Sequence, residues 1–178
     1  MPGSPCWLAL DPNLPPAHVG GVARSYTTDR MRIALDTNVL AYAEGLGDEP
    51  RCRLARELIA RLPIGDVVIP VQVLGELYRV LCGKGARPAA DVRDAAFSWA
   101  DVFAVADSTW VAMGSAYDLV VDHNLQIWDA LIMSVAAEQK CRLLLSEDLQ
   151  DGFTWCGVTV ANPFTEMKHP LLRAAMSI

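Results

Sequence analysis

From Met31 onward, the sequence alternates short runs rich in β-branched and aliphatic residues with longer segments of helical periodicity. This alternation constrains the fold more than any other feature, because parallel strands must be joined by crossovers that are usually helices. The short runs predict five strands, at residues 32–35, 67–69, 102–106, 142–145 and 158–160. The sequence therefore predicts an α/β fold, a three-layer α/β/α sandwich around a parallel sheet of about five strands.

The segments between these runs have the length and apolar spacing of helices. They are residues 38–44, 51–62, 71–83, 89–100, 108–122 and 126–140. Glycine and proline separate the first helix from the second and the third from the fourth. Several helices thus lie between successive strands.

The length of 178 residues fits one domain with a sizeable core. Residues 31–164 carry the pattern of strands and helices, and residues 165–178 are expected to form a tail or a short helix. Residues 1–30 are rich in Pro, Gly and Ser and are predicted to be a flexible extension. Two interpretations of this extension stay open: a functional tail, or a misassigned start with Met31 as the true first residue.

Charge and cysteine usage limit the classes of partner. The net charge of −6 argues against a general nucleic-acid binder, because such proteins usually carry a basic surface. Any contact with nucleic acid must therefore be confined to a small part of the surface. No apolar run is long enough to span a membrane, and five widely spaced cysteines without a C-x-x-C pair favour a reducing cytoplasm.

Two carboxylates stand where a ligand site of an α/β protein is expected, and a third lies in an apolar helix-like segment. Asp36 directly follows the first predicted strand and Asp148 follows the fourth. Ligands bind beyond the carboxyl ends of such strands, so the two side chains converge if the strands are neighbours. Asp129 lies in the apolar segment IWDALIMSVAA with no Lys or Arg within a turn, and a carboxylate there needs a partner such as a metal ion.

Glu76 lies off the apolar stripe of its predicted helix, and two interpretations are open for it. It could reach the same site, or it could pair with Arg79 three residues later on a solvated helix face. The four candidate residues are all Asp or Glu, with no His or Cys among them. Such an all-oxygen set suits Mg²⁺ or Mn²⁺ and phosphodiester hydrolysis by an activated water.

The motifs LDTNVL, LGELYRVL, WDALIMSVAA and LLLSEDLQDG, in this order, resemble those of a PIN domain. They are most similar to the VapC-type toxin ribonucleases of toxin–antitoxin pairs, and the resemblance runs from Met31 to about Phe164. It implies a PIN-like nuclease domain over residues 31–164. It also implies cleavage of RNA by a Mg²⁺- or Mn²⁺-dependent ribonuclease.

The resemblance assigns roles unevenly across the site. Asp36 and Asp129 are expected to be the firmest metal ligands, with Glu76 and Asp148 as ligands or water-positioning groups. Asn38 and Ser146 are expected to support the metal shell, although each follows a strand and could instead cap a helix. The family also implies an antitoxin protein as partner and a homodimer. Asp151 precedes Gly152 in a predicted turn and is left outside the site.

Two groups of basic residues could guide RNA to the site or could be ordinary solvated helix faces. They are Arg51, Arg53, Arg56 and Arg61, and then Arg79, Lys84, Arg87 and Arg93. An aspartyl phosphatase or a receiver domain fits less well, because position 38 is Asn and Val160 is followed by Ala-Asn-Pro. The main alternative is a PIN-like module that binds RNA or protein without catalysis.

Overall fold

The computed structural model describes residues 31–176 of the chain. Its strands are β1 (Ile33–Leu35), β2 (Val67–Pro70), β3 (Ala104–Ala106), β4 (Leu143–Leu145), β5 (Thr154–Trp155) and β6 (Val158–Ala161). Its α-helices are α1 (Thr37–Ala43), α2 (Glu49–Arg61), α3 (Val71–Gly83), α4 (Ala89–Val102), α5 (Trp110–His123), α6 (Ile127–Glu138) and α7 (Pro170–Ala175). The predicted N-terminal extension, residues 1–30, lies outside the described residues.

The six strands form one sheet in the order β3-β2-β1-β4-β6-β5. All neighbouring strands are parallel except β5 and β6. The chain builds outward from β1 through β2 to β3 and then returns to place β4 on the other side of β1, so the strand order reverses between β1 and β4. Ligands of open α/β sheets bind at such a reversal, beyond the carboxyl ends of the strands.

The predicted α/β fold with a mostly parallel sheet is confirmed, with one strand more than the five expected. The additional strand, β5, is only two residues long and pairs antiparallel with β6. Cys156 and Gly157 connect the two strands, both with positive φ, as a tight hairpin turn requires. Two residues carry too little alternation to reveal a strand in the sequence.

The core lies along the central strands and the helices that cover them. All three residues of β1 and of β4 are buried, and seven consecutive residues of α6, Ala130 to Ala136, are buried as well. This explains why α6 is apolar nearly all round, since helix α5 packs along it while the sheet also contacts it. Across residues 31–176, no helix is both long enough and apolar enough to cross a membrane.

Helix boundaries follow local signals closely. Helix α3 begins and ends at the predicted residues, between Pro70 and Lys84. Helix α4 continues to Val102, so the predicted third strand began two residues too early. The run Val-Phe-Ala-Val-Ala has strand-like composition throughout, and Val102 is half-exposed at the end of the helix.

Candidate active site

Asp36 lies at the point where β1 passes into α1 and is buried, with 3% of its surface exposed. It is the N-cap of α1, and its Oδ1 accepts a hydrogen bond from the Thr37 backbone N–H at 2.6 Å. Its other carboxylate oxygen accepts hydrogen bonds from Ser146 Oγ at 2.6 Å and from Asn38 Nδ2 at 2.9 Å. No lysine or arginine side chain forms an ion pair with it anywhere in the described range.

The surroundings of Asp36 disfavour its negative charge. Burial raises the pKa of this carboxyl to about 7, and the hydrogen bonds from Ser146 and Thr37 only partly oppose the change. The charges of Asp129 and Asp148 raise the pKa further. Asp36 is therefore a buried acid among other acids, and a cation placed between them would relieve both the burial and the repulsion.

Asp148 lies in the turn after β4, next to Asp36. The sequence predicted this convergence on condition that the two strands are neighbours, and β1 does pair with β4, with Leu35 opposite Leu145. Asn38 connects the two acids, because its Nδ2 also donates to Asp148 Oδ2 at 3.2 Å. Ser146 Oγ accepts the backbone N–H of Asp148 at 3.2 Å while donating to Asp36.

The two interpretations of Asn38 and Ser146 can now be compared with their contacts. Asn38 does not cap α1, since Asp36 has that position, and its side chain is instead hydrogen-bonded to acids of two loops. Ser146 accepts the N–H groups of Asp148 and Leu149, as a capping side chain would, and it also donates to Asp36. Both side chains thus hold carboxylates in place.

Glu76 projects from α3 toward the same region. Its Oε2 accepts a hydrogen bond from Thr37 Oγ1 at 2.9 Å, and no ion pair between Glu76 and Arg79 occurs within residues 31–176. The contacts therefore favour the interpretation that places Glu76 at the site. Thr37 was missed in the sequence, because a contact across 39 positions leaves no local signal.

Asp129 lies in the first turn of α6 and is half-buried. Within the described part of the chain, no hydrogen bond or ion pair involves its carboxylate. Burial, and then the charges of Asp148 and Glu76, raise the pKa of this group. The sequence places no Lys or Arg within one turn of Asp129, and no Lys or Arg of residues 31–176 forms an ion pair with it.

One open cavity of about 570 Å³ joins these groups. All four predicted carboxylates line it, and they come from four different elements of the fold. The lining acids are Asp36, Glu76, Asp129 and Asp148, and Asn38 lies beside them. Two cations, Arg79 in α3 and Lys84 directly after it, line the same cavity.

The donor set can be tested against a divalent cation. Among residues 31–176, no three His, Cys, Asp or Glu side chains are close enough together to form a finished metal site. Mg²⁺ does not require one, because it usually keeps several waters and takes only one or two carboxylates directly. An all-carboxylate cavity with mutual repulsion and room for water fits such a hydrated ion, whereas zinc sites use Cys or His.

Glu147 is part of the Ser-Glu-Asp motif at residues 146–148 but does not line this cavity. It accepts hydrogen bonds from Tyr42 Oη and from Arg51 Nε, and Arg51 also pairs with Asp48. Burial and the contact with Glu147 raise the pKa of the Tyr42 hydroxyl to about 12. Glu147 is thus held by its own partners and is not available to the cavity.

Asp151 was expected to form local hydrogen bonds in a turn, and its side chain instead contacts a residue eleven positions later. Its Oδ1 accepts the backbone N–H of Asn162 at 2.8 Å, and it does not line the cavity. This contact fastens the end of β6 to the loop after β4. Leaving Asp151 outside the site agrees with its position.

Comparison with known proteins gives several solved structures with the same fold. VapC20 from Mycobacterium tuberculosis, described as a sarcin–ricin loop cleaving toxin, is 26% identical, with a TM-score of 0.56 over 65% of this chain and 91% of that one. A toxin–antitoxin complex from Klebsiella pneumoniae is 19% identical, with a TM-score of 0.55 over 74% and 97% of the two chains. FitAcB from Neisseria gonorrhoeae is 17% identical, with a TM-score of 0.51 over 74% and 98%.

Comparison with curated protein sequences gives no significant match. A family model does match, and it is the model described as the PIN domain, over residues 33–151. This stretch begins in β1 and ends after β4, and it contains all four carboxylates of the cavity together with Asn38 and Ser146. Since it makes up more than half of the sequence, the chain belongs to the PIN domain family.

Proposed function

We propose that this chain is a metal-dependent endoribonuclease that hydrolyses RNA phosphodiester bonds and acts as the toxin of a toxin–antitoxin pair. The observation that carries the proposal is the convergence of four carboxylates from four elements in one cavity, with no cation paired to any of them in residues 31–176. Carboxylates without a paired cation are costly where they are buried, as Asp36 is, unless a ligand compensates their charge. Membership of the PIN family and the likeness to VapC20, a loop-cleaving toxin, support the reaction class.

In this proposal all four acids act at the scissile phosphate, with different roles. Asp36 and Asp129 would hold Mg²⁺ or Mn²⁺, and Glu76 and Asp148 would hold the ion or orient the attacking water. The ion would supply positive charge to the phosphate oxygens and would lower the pKa of a coordinated water. Asn38 keeps Asp36 and Asp148 together through its amide, so the acids need little rearrangement when the ion binds.

The partners proposed are RNA, an antitoxin protein and a second copy of the chain. The solved structures similar to this chain include toxin–antitoxin complexes, which supports the antitoxin. The homodimer is supported by apolar residues exposed on one face of α5. Trp110 and Val121 are 78% and 82% exposed there, and Tyr117 lies between them on the same face.

The test is RNA cleavage by the purified protein with Mg²⁺, with Mn²⁺ and with EDTA. The substrates are total RNA and a sarcin–ricin loop oligonucleotide, the second because VapC20 cleaves that loop. Asp36→Asn and Asp129→Asn each remove a carboxylate of the cavity. Asp122→Asn is the matched control, because Asp122 is an exposed acid of α5 that does not line the cavity.

Metal-dependent cleavage that both cavity variants lose and the control keeps is the expected result. Cleavage that survives EDTA or either cavity variant would contradict the proposed chemistry. RNA or protein binding without cleavage, in a protein whose metal affinity falls in both cavity variants, would instead favour the alternative of a PIN-like module that binds without catalysis.

A further inference from the structure

The cavity is lined by basic side chains as well as by the four carboxylates. Arg79 and Lys84 line it together with the four carboxylates, and both side chains are exposed. Arg79 belongs to α3, and Lys84 is the helical residue that directly follows its last turn. Positions 76, 80 and 84 repeat at the spacing of one helical face, and Arg79 adjoins this face. The rise along the helix axis from Glu76 to Lys84 is about 12 Å, so Lys84 is displaced along one side of the cavity from Glu76.

Most other basic side chains of the described region already have partners. Arg51 pairs with Asp48 and Glu147, Arg87 with Glu44, and Arg93 with Asp94. Arg53 lies 4.0 Å from Glu57, and Arg56 donates to the Ala43 carbonyl oxygen. Of the first basic group in the sequence, three members therefore have partners within the fold: Arg51, Arg53 and Arg56. None of its four members lines the cavity.

Arg79 and Lys84 differ from these residues in two respects. Neither side chain forms an ion pair or a hydrogen bond within residues 31–176, and both lie at the cavity. Arg61 and Lys140 share the first property but not the second. An unpaired cation can bind a phosphate without first giving up a protein partner, and Arg can bind two phosphate oxygens at once.

We propose that Arg79 and Lys84 bind backbone phosphates of the RNA strand and position it across the carboxylates. This inference rests on the nuclease function proposed above and adds to it the side of the cavity on which the strand lies. The overall charge of −6 makes such local cations necessary, because the rest of the protein repels a polyanion. The contacts are to the backbone, so they do not select a sequence.

The test measures RNA binding separately from RNA cleavage. A fluorescent single-stranded RNA oligonucleotide is titrated with protein, with Ca²⁺ in place of Mg²⁺, and anisotropy is followed at several salt concentrations. The variants are Arg79→Gln, Lys84→Gln and the double variant. Arg79→Lys tests rescue by charge alone, and Arg61→Gln is the control because Arg61 is an unpaired, exposed arginine outside the cavity.

Each cavity variant is expected to raise the Kd for RNA about tenfold. Each is also expected to reduce the slope of log affinity against log salt by about 0.7, the value for one phosphate contact to a single strand. Arg79→Lys keeps the salt slope, and Arg61→Gln keeps both the slope and the Kd. In the cleavage assay the variants raise KM for RNA and leave kcat within about twofold, because the lost contact is made equally in ground and transition states.

An unchanged Kd and salt slope in the double variant would overturn the inference. A loss of RNA affinity in Arg61→Gln equal to that in the cavity variants would also overturn it. The outcomes separate it from the nuclease proposal. If the wild type binds RNA and the variants weaken that binding, yet no metal supports cleavage, the phosphate contacts stand and the nuclease fails. If the wild type cleaves and the variants keep its KM, the nuclease stands and this inference fails; if the wild type neither binds nor cleaves RNA, both fail.

Discussion

The stability of the metal-free protein should fall as pH rises, and Asp36 should cause much of the fall. The pKa of this buried carboxyl is about 7 in the folded chain, against 3.8 for an ordinary aspartate side chain, a difference of about three pH units. Below the lower value both states carry a neutral carboxyl. Between the two values the unfolded chain releases a proton that the folded chain keeps, so the free energy of unfolding decreases, and above about pH 7 the loss is complete.

The full loss is about 4 kcal/mol, at about 1.4 kcal/mol per unit of pKa. Between about pH 5 and about pH 8 it amounts to about 2.5 kcal/mol, since part of the loss has already occurred at the lower pH. Asp36→Asn removes this titration. The variant also has a cost that does not depend on pH, because Ser146, Thr37 and Asn38 all donate hydrogen bonds to Asp36 and an amide offers only one acceptor.

The assay is urea denaturation in EDTA at both pH values, for the wild type and for Asp36→Asn. At each pH the free energy of unfolding of the variant is subtracted from that of the wild type. The pH-independent cost of the substitution cancels when these two differences are compared. Relative to the variant, the wild type should lose about 2.5 kcal/mol at the higher pH. Asp122→Asn, which removes an exposed acid, should follow the wild type. Parallel pH profiles for wild type and Asp36→Asn would refute the reasoning, because Asp36 would then ionise as easily in the folded state as in the unfolded one.

Three further predictions follow from single contacts. Ser146→Ala should lower the free energy of unfolding by about 1–3 kcal/mol and weaken Mn²⁺ binding, because the backbone N–H of Asp148 and the carboxylate of Asp36 lose a partner; urea denaturation and metal titration measure the two effects. Thr37→Val should weaken Mn²⁺ binding without unfolding the protein, and Thr37→Ser should restore it, because either hydroxyl can hold Glu76. Leu131→Ala should cost about 2–5 kcal/mol in urea denaturation, since Leu131 is 2% exposed in the core.

The sequence was sufficient for the parts of the fold that depend on short-range pattern. Helix α3 could be placed to the residue because Pro70 precedes it and its apolar stripe ends near Gly83. The positions of Asp36 and Asp148 after strands were also visible. Their convergence was only conditional, because strand order is a long-range property that no local pattern encodes.

The remaining parts depend on contacts between distant residues. Tyr42 donates to Glu147 across 105 positions, and Thr37 donates to Glu76 across 39. The three residues of the Ser-Glu-Asp motif therefore have three different roles, which composition cannot distinguish. Ser146 donates a hydrogen bond to Asp36, and Asp148 lines the cavity. Glu147 instead contacts Tyr42 and Arg51. The basic residues pose the same difficulty, since pairing within the fold distinguishes Arg51 from Arg79 and spacing does not.

The origin of the four carboxylates explains how the fold can sustain a destabilising cluster. Asp36 follows β1, Asp148 follows β4, Glu76 belongs to α3 and Asp129 to α6, so each acid is held by an element with its own buried residues. Repulsion among the acids then acts on four separately packed elements, and none of them can relax without exposing core. The same packing that makes the metal-free site costly therefore keeps it in a geometry ready for a cation, and binding of the cation should return the stability that the acids remove.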